Sequence, residues 1–273
     1  MRMVGDVARR TWRIPGAWRW LLVLVALAGL GATATPATSL ASAPGAGAAA
    51  SSGGIWGWGL GSSGQLGYGP DGGPSTQATP RAVYGMAGVV AVSAGQYFTL
   101  AVKSDGTVWS WGWDYAGRLG DGVVGSPEYQ LTPQQVVGLG GVTAVSAGGD
   151  FGLALKSDGT VWAWGSNSTG NLGVSDLLLV RPTPGQVPGL TGVVAISARG
   201  KVATALMGDG TLWAWGDDTS GQLGDGTIES TERFTEIKYA PQQVPGVTGI
   251  TAVSVGYSHT LALKSDGTVL SWG

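Results

Sequence analysis

The sequence contains no cysteine, a single histidine and few charged residues, which make up 12% of its 273 positions. Without cysteine the chain can form no disulfide, no thiolate metal site and no cysteine nucleophile. One histidine, His259, cannot build a metal site alone. No nucleophile with a neighbouring base and no phosphate-binding glycine motif stands out. These absences predict a protein that is not an enzyme and that needs no cofactor or metal.

Basic residues are scarce outside the N-terminal segment. Residues 33–273 contain 10 Lys or Arg but 16 Asp or Glu, so this part of the chain is acidic. Proteins that bind nucleic acid present a basic surface to the phosphates. The charge balance therefore predicts no nucleic-acid partner.

Long apolar runs are absent except near the N-terminus, where the run 21–31 follows five arginines. Positive charge followed by a short apolar core is typical of an export signal. We therefore predict that residues 1–32 are a signal peptide, with an uncleaved membrane anchor as the alternative. Residues 33–54 contain only Thr, Ala, Pro, Ser, Leu and Gly, which predicts a disordered linker. The folded part is then secreted or lies at the cell surface, and touches a membrane only through an uncleaved N-terminal segment.

Glycine and tryptophan are abundant instead, with 50 and 13 residues. Tryptophans recur every 51 to 57 residues, at Trp58, Trp111, Trp164, Trp215 and Trp272. A period near fifty residues is typical of repeat proteins. The repeats divide 55–273 into units at 55–107, 108–160, 161–211 and 212–268, with the start of another unit at 269–273.

Three strand-like segments recur once per repeat, as residues 142–147, 151–156 and 161–165 illustrate. The first segment is apolar on both faces, which predicts that both faces are covered. The third carries Trp162 and Trp164 at alternate positions, so both should lie on one face, opposite the small Ala163. A bulky face and a shallow face predict that neighbouring sheets stack around an axis.

Two further features follow each tryptophan pair. A Gly-x-Leu-Gly segment, such as 170–173, should bend tightly through its glycines and place its leucine between sheets. A fourth strand then begins at a proline, such as Pro184, and should form a sheet edge. Four antiparallel strands per unit, with no helical period, predict an all-β fold: a β-propeller of four-stranded blades with about four repeats.

Acidic residues recur in the turns between these strands. Asp158 and its equivalents lie in the hairpin that precedes the tryptophans, where turn geometry explains them. Asp121 and Asp225 could offer oxygen ligands to calcium, but no twelve-residue loop pattern accompanies them. A role in turns is the better account of all these aspartates.

Variable loops follow the Gly-x-Leu-Gly segments, at 68–79, 121–132, 174–183 and 225–239. Because they occupy the same point of the repeat, they should emerge on the same side of the propeller. Variable loops on a rigid scaffold are where recognition tends to lie, with plain solvated loops as the alternative. The candidate partner-binding residues are Tyr129, Glu232, Arg233, Phe234, Glu236, Lys238 and Tyr239.

The order of motifs resembles that of the regulator of chromosome condensation repeat family. The motifs are Ser-x-Gly, Thr-Leu-Ala-Leu, Ser-Asp-Gly, Trp-x-Trp-Gly and Gly-Gln-Leu-Gly, and they are clearest at 253–273. The resemblance covers 55–273 and implies a β-propeller, normally seven-bladed, in an exported bacterial member of the family. Family propellers serve several unrelated binding roles, among them binding to GTPases and, in exported bacterial relatives, to secreted enzymes.

The sequence departs from the family pattern in three ways. Phe98, Phe151 and Val202 stand where the family usually has histidine, which only His259 retains. The segment 199–201 reads Arg-Gly-Lys, whereas the equivalent segments of the other units begin with glycine. About four repeats are present instead of seven, which predicts an incomplete or open ring, a truncated sequence, or an arc closed by a second chain.

The leading functional prediction is a non-enzymatic interaction scaffold, secreted or surface-tethered, that binds an unknown protein partner through its loops. One alternative is binding of carbohydrate or cell-envelope polysaccharide through aromatic residues such as Trp113, Tyr115 and Tyr129. Another is regulation or inhibition of a secreted enzyme. Nucleotide exchange on a nuclear GTPase conflicts with an export signal.

Overall fold

A computed structural model describes residues 54–125, 128–175, 178–227 and 237–273. The predicted signal peptide or anchor at 1–32 lies outside these residues, as does the predicted linker at 33–54 except for Gly54. Among the described residues, no helix has the length and apolar character needed to cross a membrane.

The described residues contain seventeen strands in five antiparallel sheets, in which strands that follow each other in sequence are neighbours. The first sheet contains β1 (Trp56–Leu60) and β2 (Thr76–Ala82). The second contains β3 (Val89–Ala94), β4 (Phe98–Lys103), β5 (Val108–Trp113) and β6 (Tyr129–Gln135). The third contains β7 (Val142–Ala147), β8 (Phe151–Lys156), β9 (Val161–Ser166) and β10 (Val180–Gln186). The fourth contains β11 (Val193–Arg199), β12 (Val202–Met207), β13 (Leu212–Gly216) and β14 (Lys238–Gln243). The fifth contains β15 (Ile250–Val255), β16 (Thr260–Lys264) and β17 (Val269–Trp272).

The three complete sheets confirm the predicted all-β fold with four-stranded blades. They are offset from the sequence units, because the unit 108–160 holds the last two strands of the second sheet and the first two of the third. The first strands contact one another from β3 through β7 and β11 to β15, and no comparable contact joins the fifth sheet to the first or second, so the described strands form an open arc.

Serines join the first strands of successive sheets. The hydroxyls of Ser93 and Ser146 accept hydrogen bonds from the backbone N–H groups of Ala147 and Ala198, at 2.9 and 2.8 Å. Ser197 accepts one from Val255 at 3.1 Å. These bonds hold the innermost strands side by side around a cavity of 410 Å³.

Cover of the first strands differs along the arc. Val145 in β7 and Ile196 in β11 are buried between neighbouring sheets. Val92 in β3, at the equivalent position, is 39% exposed, because the first sheet has only two strands. Val90 and Val194 lie at the bulges of β3 and β11, and both are exposed, at 58% and 40%. The prediction of cover on both faces is therefore right for the core of β7 and β11 and wrong for β3.

In the second to fifth sheets, the tryptophan equivalent to Trp164 joins its sheet to the preceding one, whereas Trp58 in the first sheet is 54% exposed. Trp111, Trp164 and Trp215 are at most 1% exposed. The indole N–H of Trp164 donates to the backbone carbonyl of Arg118 at 2.9 Å, and the equivalent bonds link Trp111 to Gln65, Trp215 to Asn171 and Trp272 to Gln222. These carbonyls all belong to Gly-x-Leu-Gly segments.

The first tryptophan of each pair behaves differently. Trp162 is only half-buried, and its indole N–H donates to the hydroxyl of Thr160 in its own hairpin turn at 3.2 Å. Lys156 lies over the same ring, with Nζ 5.3 Å from the centroid. Trp162 nevertheless packs against the hydrophobic cluster between the second and third sheets. Both indoles therefore lie against the neighbouring sheet, here the preceding one, but only the second is fully buried.

The Gly-x-Leu-Gly segments confirm their predicted role. Leu119 and Leu172 are buried between sheets. Gly120 has a φ of +70°, and a Cβ there would lie 2.8 Å from Nε1 of Trp164. The glycine is therefore needed both for the backbone bend and for the close approach of the indole.

The hairpin turns and the edge strands also follow the sequence pattern. The carboxylate of Asp158 accepts hydrogen bonds from the N–H and hydroxyl of Thr160, at 3.0 and 2.6 Å, and these bonds hold its pKa below the ordinary value. The fourth strands lie at sheet edges, as predicted. They begin before the proline, however: β6 starts at Tyr129, and Pro133 lies where the register with β5 shifts.

Candidate functional site

Each sheet has two different ends. The Asp-Gly hairpins lie at one end, which we call the turn face. The short turns after the first strands and the variable loops after the third strands lie at the other, which we call the loop face. Gly149 donates to the carbonyl of Gly200 at 2.7 Å, which joins the loop-face turns of the third and fourth sheets. The variable loops therefore emerge on one side, as predicted.

Three of the seven candidate residues lie in the described part of the chain. Tyr129 begins β6, is 41% exposed, and has its pKa raised by a hydrogen bond with Glu128. Lys238 and Tyr239 begin β14, and Nζ of Lys238 lies 3.6 Å from a carboxylate oxygen of Asp225. The candidates outside the described residues are Glu232, Arg233, Phe234 and Glu236.

Four aromatic side chains on the loop face of the second sheet form what we call the aromatic cluster: Tyr97, Trp113, Tyr115 and Tyr129. The ring centroids of Tyr97 and Trp113 are 5.4 Å apart in an edge-on contact, and those of Trp113 and Tyr115 are 5.3 Å apart. Tyr129 is paired with Trp113 across β5 and β6. Tyr115 is 55% exposed, so the cluster presents a ring to solvent.

A buried guanidinium supports the cluster from below. Arg118 has no solvent exposure, and its Cζ lies 4.8 Å from the ring of Trp113 and 5.3 Å from that of Tyr115. Its Nη2 lies 2.9 Å from the carboxylate of Asp150 in the third sheet. Burial lowers the pKa of Arg118, and the charge of Asp150 opposes that effect. The contacts with rings and carboxylate stabilise a charge that burial alone would disfavour.

Arg118 also explains the shape of the turn that carries Tyr115. In the fourth sheet the side-chain oxygen of Gln222 accepts a hydrogen bond from the N–H of Ser220, and Gln65 and Asn171 do the same in their turns. Arginine has only donors. Nε of Arg118 instead donates to the carbonyl of Tyr115 at 2.8 Å. Ala116 consequently has a φ of +58°, the only positive φ of a residue other than glycine among those described.

An aspartate ties the following loop to this turn. The carboxylate of Asp114 accepts from the N–H groups of Leu119 and Gly125, at 3.3 and 2.9 Å, and burial raises its pKa. Asp218 in the fourth sheet accepts only from Leu223, at 2.8 Å, and its second oxygen has no partner among the described residues. Burial raises the pKa of Asp218 to about 6.

The aspartates considered as calcium ligands instead accept hydrogen bonds within their own turns. The carboxylate of Asp121 accepts from the N–H of Val123 at 3.1 Å, and that of Asp225 from the N–H of Thr227 at 2.8 Å. Within the described ranges, no group of three or more His, Asp or Glu lies close enough together to hold a metal ion.

Sequence reasoning found part of this site. It named Trp113, Tyr115 and Tyr129 as an exposed aromatic surface, and the structure brings these three together. It missed the supporting roles of Arg118 and Asp150. A signal was present, because Arg118 interrupts a column that otherwise contains only Gln and Asn.

Stacked four-stranded sheets, pinned by tryptophans and carrying their loops on one face, define a β-propeller. The chain belongs to the RCC1-like domain family, whose model matches residues 29–273. This confirms the family predicted from the repeat motifs.

Curated relatives extend well beyond the matched region. The chain is 36% identical over 225 residues to the probable E3 ubiquitin-protein ligase HERC6 of Homo sapiens, which covers 78% of this chain and 21% of the relative. It is 31% identical over 221 residues to the ultraviolet-B receptor UVR8 of Arabidopsis thaliana, which covers 78% of this chain and 47% of the relative. The chain thus spans less than half the length of these two proteins.

Solved structures share the fold. Yeast RCC1 (Prp20) bound to Kap60 matches with a TM-score of 0.67 and 25% identity, over 88% of this chain and 60% of that one. Human WBSCR16 matches with a TM-score of 0.67 at 24% identity, over 81% of this chain and 57% of that one, and supports the fold alone. Prp20p of Saccharomyces cerevisiae, which binds Gsp1p and histones, matches with a TM-score of 0.65 and 25% identity, over 79% of this chain and 52% of that one. Prp20, a propeller of this family, therefore binds protein partners.

Proposed function

We propose that this chain is a non-enzymatic interaction scaffold, secreted or surface-tethered, which binds a protein partner through its loop face. The observation that carries the proposal is the aromatic cluster. Tyr115 is 55% exposed, yet its backbone is held by a buried arginine and its ring packs on Trp113. Exposed, rigid tyrosines and tryptophans are enriched where partners bind, because they contribute contact area at a low cost in conformational entropy.

The exported location rests on the N-terminal sequence alone. Five arginines followed by the apolar run 21–31 support a signal peptide. N-terminal sequencing of the protein from culture medium tests this directly. A mature protein that begins after residue 32 agrees with export and cleavage, whereas an intact N-terminus on membranes indicates the anchor instead.

The binding proposal is tested by capture from culture medium and cell surface with the full chain as bait. The key variant is Tyr115→Ala, and the matched control is Tyr84→Ala, because both tyrosines are 55% exposed and Tyr84 lies between β2 and β3 at the turn face. We expect Tyr115→Ala to weaken binding of the captured protein at least about tenfold, and Tyr84→Ala to leave it unchanged. Equal affinities of the two variants would contradict the proposal.

Polysaccharide binding is the second candidate, because Trp113, Tyr115 and Tyr129 lie together as a carbohydrate surface requires. The same variants distinguish the two functions. If the chain is retained on purified cell wall while no protein is captured, and Tyr115→Ala abolishes that retention, the result would favour polysaccharide binding over protein binding. A captured partner that is a secreted enzyme, and whose activity changes on binding, would make the chain its regulator or inhibitor.

A further inference from the structure

Two cations on the loop face have no partner within the described part of the chain: Arg199 and Lys201. The other lysines and arginines described there all make an ion pair, a ring contact or another interaction. Arg199 and Lys201 are both exposed and are separated by one glycine. Unpaired cations this close together are unexpected in a chain whose residues 33–273 are acidic.

The repeat explains why an arginine can occupy position 199. The equivalent residues of the other sheets are Gly95, Gly148 and Gly256. A Cβ at these glycines would lie 2.5, 2.1 and 2.3 Å from the ring of the aromatic residue three positions later. In the fourth sheet that ring is replaced by Val202, which leaves space for a side chain at 199. The fourth sheet thus departs from the repeat by two matched changes: Val202 replaces the aromatic ring, and Arg199 replaces the glycine and introduces a charge.

Arg199 stands at a defined place in the propeller. It ends β11 and is the only charged residue among the described residues that line the 410 Å³ cavity, whose walls are otherwise small, apolar or hydroxyl-bearing. Lys201 follows on the loop face. The cations therefore mark the mouth of the cavity at the end where the variable loops emerge.

The turn that carries the two cations is held from both sides. The carbonyl of Gly200 accepts from Gly149 of the third sheet at 2.7 Å. On the other side, a Cβ at Gly200 would lie 3.2 Å from the carbonyl of Tyr257 and 3.6 Å from its ring, so the fifth sheet packs against the turn. Tyr257 is 70% exposed, more than the other large apolar residues described. The backbone between the two cations is thus held in place, with the exposed ring of Tyr257 beside it.

We infer that Arg199, Lys201 and Tyr257 anchor an acidic side chain of the protein partner at the mouth of the central cavity. This inference rests on the proposed function and adds the chemistry of the contact. A guanidinium donates two parallel hydrogen bonds to a carboxylate, and an unpaired arginine has no internal ion pair to break first. Two cations are too few to follow a nucleic-acid backbone, whose binding rests on many phosphate contacts. The net negative charge of residues 33–273 would disfavour binding of a carboxylate elsewhere on the chain.

A capped hexaglutamate peptide serves as the probe, with hexaglutamine as the neutral control, in calorimetric titrations of the full chain. The test variant is Arg199→Gln/Lys201→Gln. The control variant Lys156→Gln/Lys264→Gln removes the same charge from the hairpins of the turn face. We expect hexaglutamate affinity to fall at least about tenfold in the test variant only, and hexaglutamine not to bind. Lys201→Gln alone should give a smaller loss without any change in β11.

Two results would overturn the inference. One is an equal loss of hexaglutamate affinity in both double variants, which would indicate attraction to net charge. The other is displacement of the peptide by inorganic phosphate at equal concentration, which would indicate an adventitious anion only.

The captured partner separates this inference from the proposed function. A partner that loses affinity for Tyr115→Ala but not for Arg199→Gln/Lys201→Gln would overturn the acidic anchor and leave the scaffold proposal intact. Site-specific hexaglutamate binding without any captured protein would support the anionic site and contradict the scaffold proposal.

Discussion

Arg118 illustrates how one side chain reshapes a turn that the other sheets build in another way. Glutamine or asparagine accepts a backbone N–H in three turns, whereas arginine can only donate and therefore draws the carbonyl of Tyr115 inward. The backbone change forces Ala116 to a φ of +58° and places Tyr115 on Trp113. The exposed aromatic surface is thus a consequence of a buried charge.

The strained residue offers a test of this account. A left-handed conformation costs alanine about 1 kcal/mol or more and costs glycine little. We expect Ala116→Gly to raise the free energy of unfolding by about 0.5–1 kcal/mol. In an Arg118→Gln background the gain should vanish, because glutamine restores the acceptor and releases the turn. Chemical denaturation of the four proteins measures this. Ser220→Gly, at an equivalent position without positive φ, should instead destabilise.

Asp218 predicts a dependence of stability on pH. Its pKa of about 6 in the folded protein lies above the ordinary 3.8, so the folded state binds the proton more tightly than the unfolded state. Stability should therefore rise as the pH falls from 7 through 6 towards 4. Asp218→Asn should raise the free energy of unfolding at pH 7, by up to about 3 kcal/mol, and flatten this part of the profile.

The third sheet already contains the amide at the position of Asp218. Asn167 there accepts from Leu172 at 3.1 Å and donates to the carbonyl of Val174 at 3.4 Å. Asp209→Asn is the control, because turn hydrogen bonds lower the pKa of Asp209 and its removal should bring no gain at pH 7. If the unfolding free energy of Asp218→Asn depended on pH in the same way as that of wild type, the raised pKa of Asp218 would be refuted.

At the scale of elements, the third strand does two jobs with its two tryptophans. Trp164 is buried and donates to the Gly-x-Leu-Gly segment of the second sheet, whereas Trp162 is half-buried at the edge of the same cluster and donates to its own hairpin. The glycine after each leucine is matched to the indole that approaches it. Neighbouring sheets are thus joined where the third strand of one sheet contacts the Gly-x-Leu-Gly segment of the preceding sheet.

Truncation of each tryptophan should separate these roles. We expect Trp164→Ala to lower the free energy of unfolding by about 3–5 kcal/mol, because it removes a buried ring and an intersheet hydrogen bond. Trp162→Ala should cost clearly less, since that ring is only half-buried. Denaturant unfolding compares the two. Equal losses of unfolding free energy in the two variants would contradict the role of the second indole in joining the sheets. A Trp164→Ala protein with the melting temperature of wild type would contradict it as well.

At the scale of the whole molecule, the sheets divide the surface into a regular turn face and a variable loop face. The longest loop, 225–239, has a described base in which Lys238 pairs with Asp225. Its residues 228–236 lie outside the described part of the chain. The aromatic cluster and the two unpaired cations lie on the same face as this base, so a partner could contact all three.

Deletion of residues 230–237 tests the contribution of the loop. We expect the protein to keep its melting temperature, because the strands and the base at Asp225 and Lys238 remain, and to lose affinity for its captured partner. A variant with a Gly-Ser segment of equal length in place of 230–237 controls for loop length. Undiminished affinity in both variants would remove Glu232, Arg233, Phe234 and Glu236 from the candidate site.

Local and periodic features could be predicted without a structure. The hairpins follow from Asp-Gly turns, the strands from alternating residues, and the propeller from a repeated order of motifs. These signals depend on neighbours in the chain. The sequence therefore predicted the fold, the face that carries the loops and the structural role of Asp158.

Only tertiary packing decided the remaining features. It determined that the sheets are offset from the sequence units, that Trp164 is buried while Trp162 is not, and that β3 is exposed on one face. It also joined Tyr97, Tyr115 and Asp150, from separate turns, around Arg118. The physical reason is that burial and side-chain contacts depend on which surfaces meet, and residues far apart in the chain supply those surfaces.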